Sequence, residues 1–538
     1  MKKKNFLRLA LLWMAVQASV VTVQGETTDG NPGNPILLSY DELYANAANL
    51  PIPNDYYGYK REEMFPLATS KYQAAPISPA LDDFLRNPTM AQGQIFYLEG
   101  GKTYYLDGAD ILVKGFTLAT LPEDVAAGKR AKVICGIGQD QYGGFTMFLL
   151  GAAGDGEIFM KKLAFCDIDF DYPEALNYGD SEAGLGSATG NYFINTYSNG
   201  VSVTLDSMVI ENCTFKRVVR GFIREQGSSY KVFNHFLIKN NQFFDCGYYS
   251  SGAGGYAMIA GSGNNAASNL YKDLQVTENT FYDSPYRSFL YEVSQSAWTG
   301  GPWNITFSNN TLINFNTRSA GCIFEMRYLP DGSVYNVENN LMVLTKQDGD
   351  QRVLQAFGAN IRNTMTLADG SAGHVTLNFN NNWSTNDNLT NGSIFSANPW
   401  AATNNNFGKL VKDGNATLNG TLEVQVANIS STDLMVSPCP PHKAVTSSDQ
   451  NMHRADALDG TATTEFNVNL YFKDFENDIY KNNVGAARWR SAADSPTGVT
   501  TVTAQPTGND AVYTLSGQRV TGAVRPGLYI QNGRKVIK

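Results

Sequence analysis

Ile305-Thr306-Phe307-Ser308-Asn309-Asn310-Thr311-Leu312 is one of seven copies of a single pattern: apolar, any, apolar, any, polar, Asn or Cys, any, apolar. The others begin at Leu163, where Ile168 takes the Asn or Cys place, and at Met208, Phe236 and Leu274, with two looser copies at Tyr335 and Leu377. Apolar residues at i and i+2 put alternate side chains on one side, as in a strand. The polar pair then breaks the alternation, and a strand-like segment resumes. Asn tolerates left-handed backbone better than any other residue except Gly, so an Asn pair at a fixed place marks a repeated sharp bend. Successive second positions, Cys213, Asn241, Asn279, Asn310, Asn340 and Asn382, are separated by 28, 38, 31, 30 and 42 residues. The period is therefore near 30, with loops inserted at some turns. Strands bent at fixed points once per coil describe a right-handed parallel β-helix, in which equivalent Asn side chains stack and hydrogen-bond along the axis. The competing all-β fold, an antiparallel sandwich, would show hairpin turns about every 8–12 residues and no column of bends.

Upstream of the repeats, Ile95–Leu98, Thr103–Leu106, Ile111–Val113 and Val133–Cys135 read as earlier, less regular coils. A short helix within Ile77–Leu85 would cap the first coil, as solenoid ends require. The expected organisation is a signal peptide at 1–25, an irregular lead-in at 26–75, the β-helix at 76–490, a linker at 491–512 and a small β tail at 513–538.

The chain has 538 residues, 51 of them Asn, with 17% charged and 43% apolar residues and a net charge of −9. That composition excludes disorder. The acidic balance argues against a nucleic-acid partner, which would need a basic surface. Lys2, Lys3, Lys4 and Arg8 precede an apolar run from Leu9 to about Val23, the pattern of an export signal. Losing those four cations would take the remaining chain to −13. No later stretch is apolar for about 18 residues, so no membrane span is expected in the mature chain. An exported monomer, secreted or at the outer cell surface, is the reading. The six cysteines are at least 31 residues apart and none forms a CxxC pair. Most are read as small buried apolar groups, with disulfides the alternative.

The Asn-rich coils, Leu98-Glu-Gly-Gly-Lys-Thr-Tyr-Tyr-Leu106 and the closing Val484-Gly-Ala-Ala-Arg-Trp489 together resemble the secreted pectate-lyase-like β-helix proteins of Bacteroidetes. Those belong to families of undefined function, often encoded beside glycan-utilisation genes. The likeness covers roughly residues 75–490. It departs from the pattern at Ala486-Ala487, where relatives often carry Asp-Pro, and in lacking a lipobox. The tail from Tyr513 to Lys538 is similar to type IX secretion sorting domains, which would make that secretion machinery a partner.

For a β-helix that handles glycans, the expected site is a groove on the third strand of each coil. Three coils give Arg220-Gly-Phe-Ile-Arg224-Glu225, Arg287-Ser-Phe-Leu-Tyr291-Glu292 and Arg318-Ser-Ala-Gly-Cys-Ile-Phe-Glu325-Met-Arg327. Read in register, Glu225, Glu292 and Glu325 form a carboxylate column and Arg220, Arg287 and Arg318 a cation column. Like charges so close need Arg partners, protons or a cation. Ca²⁺ on the three glutamates, with Arg224, Arg287, Tyr291 or Arg327 as the base, would make a uronate lyase acting by β-elimination. Arg220, Arg318 and the loop aromatics Tyr248, Trp298 and Trp303 would bind an acidic polysaccharide such as pectin. A glycoside hydrolase using Asp245 and Asp283 is a less favoured chemistry. Two alternatives stay open: an Arg–Glu ladder that satisfies itself, and a non-catalytic surface glycan-binding protein on the same scaffold.

Overall fold

In the computed structural model the described residues are 35–43, 55–56, 59–60, 81–106, 110–135, 145–151, 155–172, 191–196, 201–216, 218, 221–225, 230–244, 246, 258–261, 269–282, 289–292, 301–313, 315, 324–343, 359–364, 366–384, 413–420, 425–426, 483–489, 512–513, 528–531 and 534–537. The chain divides into two compact units, Met1–Ser491 and Ala492–Lys538.

The first unit is a parallel β-helix. One coil runs through Ser202–Glu211 in a first sheet, Thr214–Lys216 in a second and Ile223–Arg224 in a third, then returns to the first sheet at Lys231–Lys239. Each strand pairs in parallel with its equivalent one coil away, for example Phe165 with Ile210 and Ile210 with Ile238. Among the described residues, eleven strands follow one another along the first sheet, ten along the second and eight along the third. The stack begins earlier than the sequence suggests. Ile36–Leu38, inside the supposed irregular lead-in, pairs with Phe96–Leu98 and forms the edge strand of the first sheet. The cap is the short helix Leu81–Leu85, whose two leucines are fully buried.

The core follows from the i, i+2 pattern. Inward positions stack on their equivalents, so Phe170, Phe215, Phe243 and Phe281 make a column of parallel rings with centroids 5.1, 5.3 and 4.8 Å apart. Phe193 and Phe222 stack at 5.2 Å beside them.

The bend divides labour between its two polar residues. The first of each pair carries the left-handed backbone: Asp167, Asn212, Asn240, Glu278, Asn309, Asn339 and Asn381 all have φ between 50° and 61°. The second turns its side chain inward and is fully buried at Asn241, Asn279, Asn310, Asn340 and Asn382. Asn279 Nδ2 donates to Ile238 O of the preceding coil at 2.8 Å and to Asn310 Oδ1 of the next at 3.0 Å, and Asn310 Oδ1 also accepts the Asn279 backbone N–H at 3.0 Å. The same set recurs at Asn241 and Asn340. Cys213 begins the column. Its thiol donates to Phe165 O at 3.4 Å and accepts from the Ile168 N–H, the two contacts an Asn would make there. Four cysteines, Cys135, Cys166, Cys213 and Cys246, are free thiols. Cys322 and Cys439 lie outside the described residues.

A strap lies along the outside of the bends. Asn309 Nδ2 donates to Asn483 O at 2.6 Å, Gly485 N to Asn339 O at 2.8 Å, and Ala486 N to Thr311 Oγ1 at 2.9 Å. Ala487 N donates to the Glu278 carboxylate. Arg488 Nη2 ends the run on Asn240 O and Oδ1, each at 2.6 Å. Arg130 continues the line upstream, donating to Asn212 O and to Ile168 O. Gly485 has φ +77° and Thr311 Oγ1 only 2.7 Å from where a Cβ would sit, so no other residue fits without strain.

In the second unit, Val512–Tyr513, Leu528–Gln531 and Arg534–Ile537 form an antiparallel sheet.

Candidate functional site

The third sheet is where the sequence placed the site, and its register decides what meets there. One column runs Asn195, Arg224, Ala260, Tyr291, Glu325, Asn360. The neighbouring column runs Gly261, Glu292, Met326, Ile361. Glu325 is therefore level with Tyr291, and Glu292 with Met326. The expected stack of Glu292 on Glu325 does not form, because Phe324 rather than Ile323 aligns with Leu290 and shifts the later coil by one residue.

Glu225 is corrected as well. It is 3% exposed, inside the coil, where its carboxylate accepts the Tyr271 hydroxyl and faces Lys231, which is itself fully buried. The physical reason is a corner. Phe222 and Ile223 are both buried, which resets the alternation so that Arg224 turns out and Glu225 turns in. Desolvation pushes the Glu225 carboxyl up to about 8, against the stabilising Tyr271 hydrogen bond and the Lys231 charge. Desolvation also brings the Lys231 ammonium down to about 8, against the attraction of Glu225. Glu225 thus sits inside the coil rather than on the surface column where the sequence placed it.

Trp303 is the third correction. Expected as an exposed sugar platform, it is 1% exposed and packs edge-on against Tyr271 at 5.4 Å. Its backbone N–H is held by Ser333 Oγ at 3.0 Å.

Arg224 and Tyr291 do share the outward column, both half-buried, two coils apart with Ala260 between. The Arg224 guanidinium lies 5.5 Å over the ring of Tyr192. Its own carbonyl is clamped by Thr196, whose N–H and hydroxyl donate to it at 2.8 and 3.1 Å. One coil back, Asn195 is buried and donates to Thr146 Oγ1 at 3.3 Å. Tyr192, Asn195 and Thr196 were not singled out in the sequence. Tyr192 and Asn195 lie on the strand Asn191–Asn195, which precedes the Asn column and reads Asn-Tyr-Phe-Ile-Asn, with no alternation to mark it, and Thr196 follows it. Arg327 lies on the strand Phe324–Leu329. Arg220, Arg287, Arg318, Tyr248 and Trp298 lie outside the described residues. Among the described residues, no three His, Cys, Asp or Glu side chains gather as a metal site.

No family model, curated protein or solved structure matches the chain.

The geometry thus leaves a fixed cation, backed by an aromatic ring, on a sheet face whose neighbouring rungs repeat at about 4.8 Å. A guanidinium is a planar fork of donors, the geometry that matches a carboxylate.

Proposed function

We propose that this chain is an exported β-helix protein that binds an acidic polysaccharide along the outward column of the third sheet. The observation that carries the reading is Arg224, held half-exposed over Tyr192 with its backbone clamped by Thr196. The leader sequence and the resemblance to Bacteroidetes glycan-associated proteins support export, and the tail supports a type IX route to the cell surface. Binding is favoured over β-elimination because Glu225 is committed to Tyr271 and Lys231 inside the coil and Glu292 and Glu325 stand in different columns. The test is electrophoresis through gels containing polygalacturonate or alginate, with Ca²⁺ and with a chelator. The wild type should be retarded without releasing unsaturated uronide. Arg224→Ala should weaken retention about tenfold, the size of one charge-assisted hydrogen bond. Equal migration of both proteins in every acidic gel removes this face from the function, and unsaturated product with wild type restores the lyase.

A further inference from the structure

The first sheet carries a second ladder, on its outside. Asn419 Nδ2 donates to Asn378 Oδ1 at 2.7 Å, Asn378 Nδ2 to Asn336 Oδ1 at 2.7 Å, and Asn336 Nδ2 to Thr306 Oγ1 at 3.2 Å. These four residues are in register on four successive coils. Unlike the buried ladder, this one is half-buried to exposed. Beside it Asn380 donates to Glu338 Oε1 at 2.7 Å, and Thr376 and Thr417 stand in register on the other flank. The four strands, Asn304–Ser308, Val334–Glu338, Val375–Asn380 and Ala416–Gly420, contain no Lys or Arg and one acid, Glu338.

Asn is disfavoured in strands, and an outward position has no core packing to compensate. Repeating it on three consecutive coils breaks a local rule that the fold itself does not require. What the repetition produces is a row of amides all polarised the same way. Asn336 and Asn378 each use one N–H and one lone pair on their neighbours, which leaves one donor and one acceptor per rung. The rungs repeat at about 4.8 Å, close to the rise of one hexose in an extended β-linked chain. A hydroxyl is also both donor and acceptor, so a sugar chain laid along the column would meet one amide per residue. The absence of cations on these strands, and the carboxylate of Glu338, disfavour a uronate there.

We propose that this face binds a single extended chain of a neutral polysaccharide, separately from the acidic-glycan face of the third sheet. The test uses electrophoresis of the full chain through gels of glucomannan or hydroxyethyl cellulose. Wild type should be retarded, and the double variant Asn336→Thr/Asn378→Thr, which keeps strand-forming residues, should lose at least fivefold in affinity with an unchanged circular dichroism spectrum. Asn378→Asp, which keeps the size and replaces both amide N–H donors with a carboxylate, should lose retention too. Arg224→Ala should run as wild type in these neutral gels, and the double variant as wild type in polygalacturonate, so the two surfaces fail or stand independently. The proposal is overturned if wild type is not retarded in either neutral gel, or if the folded variants are retarded as strongly as wild type. It is overturned equally if both variants unfold, which would make the row a structural ladder.

Discussion

At the scale of single residues, the buried amides are the most exacting positions in the chain. Replacing Asn310 with Leu removes the acceptor of two Asn279 donors, one backbone and one side-chain, and the donor to Val276 O. Each buried group left unpaired costs roughly 1–3 kcal/mol, so the melting temperature should fall sharply; an unchanged melt would sink the ladder as a source of stability. Cys213 gives the opposite test. In Cys213→Asn the amide would reach Phe165 O and Asn241 Oδ1 and accept from Ile168, extending the ladder by one rung. A gain of about 0.5–1.5 kcal/mol is expected, read as a raised denaturation midpoint. Glu225 supplies a pH dependence. Its folded pKa of about 8 exceeds the ordinary 4.5, so between those values the folded chain keeps a proton the unfolded chain has lost. Its contribution is present below pH 4.5 and lost as pH rises through 8. Lys231, lowered to about 8 from 10.5, acts in the window above. Thermal melts between pH 5 and 8 should therefore slope downward in wild type. They should be flatter in Glu225→Gln, which keeps an acceptor for Tyr271.

At the scale of elements, the bends and the strap explain both what could be read from sequence and what could not. The bend column was legible because Asn or Cys recurs at one place relative to the i, i+2 apolar pair. Its division into a left-handed residue and a ladder residue was not, since Asn suits both jobs. Only Glu278 and Asp167, left-handed without being Asn, separate the roles. The third sheet was legible in location but not in register. Its strands are two to six residues long in the cases of Ile223–Arg224 and Phe324–Leu329, joined by loops of differing length, so one residue of slip moves Glu325 from one column to the next. Trp303 looked like a loop aromatic because Gly-Gly-Pro precedes it, yet it stands immediately before the first-sheet strand Asn304–Ser308 and is buried. The strap was seen only as an end of the helix. Arg488 is half-buried on the surface of the bends, and burial, then the nearby Arg130 charge, lowers its pKa to about 10. Truncating it in Arg488→Met leaves the outward carbonyl of Asn240 without its donor. A loss of about 1–3 kcal/mol is expected in chemical denaturation, and a loss below a few tenths would mean that water substitutes for the guanidinium.

At the scale of the whole molecule, stability in a stack of coils is close to a sum of neighbour terms. Phe243 touches two stacked rings, Phe215 and Phe281, and Phe222 edge-on. Phe243→Ala should cost about 3–5 kcal/mol and split unfolding into two transitions, with the coils on either side melting separately. A single cooperative transition would show that something spans the break, and the strap is the element placed to do so. Its contacts join Arg488 to Asn240 across 248 residues and touch four successive bends. Those bends exist as a row only after their coils have stacked, so the strap can close only late, once loop closure over that distance has been met. Arg488→Met should accordingly accelerate unfolding while leaving the folding rate nearly unchanged. A coil that slipped by one residue or failed to form would offer the strap the wrong spacing. The last segment of the helix to be synthesised thus works as an inspection step, fastening only a stack whose earlier rungs are in order.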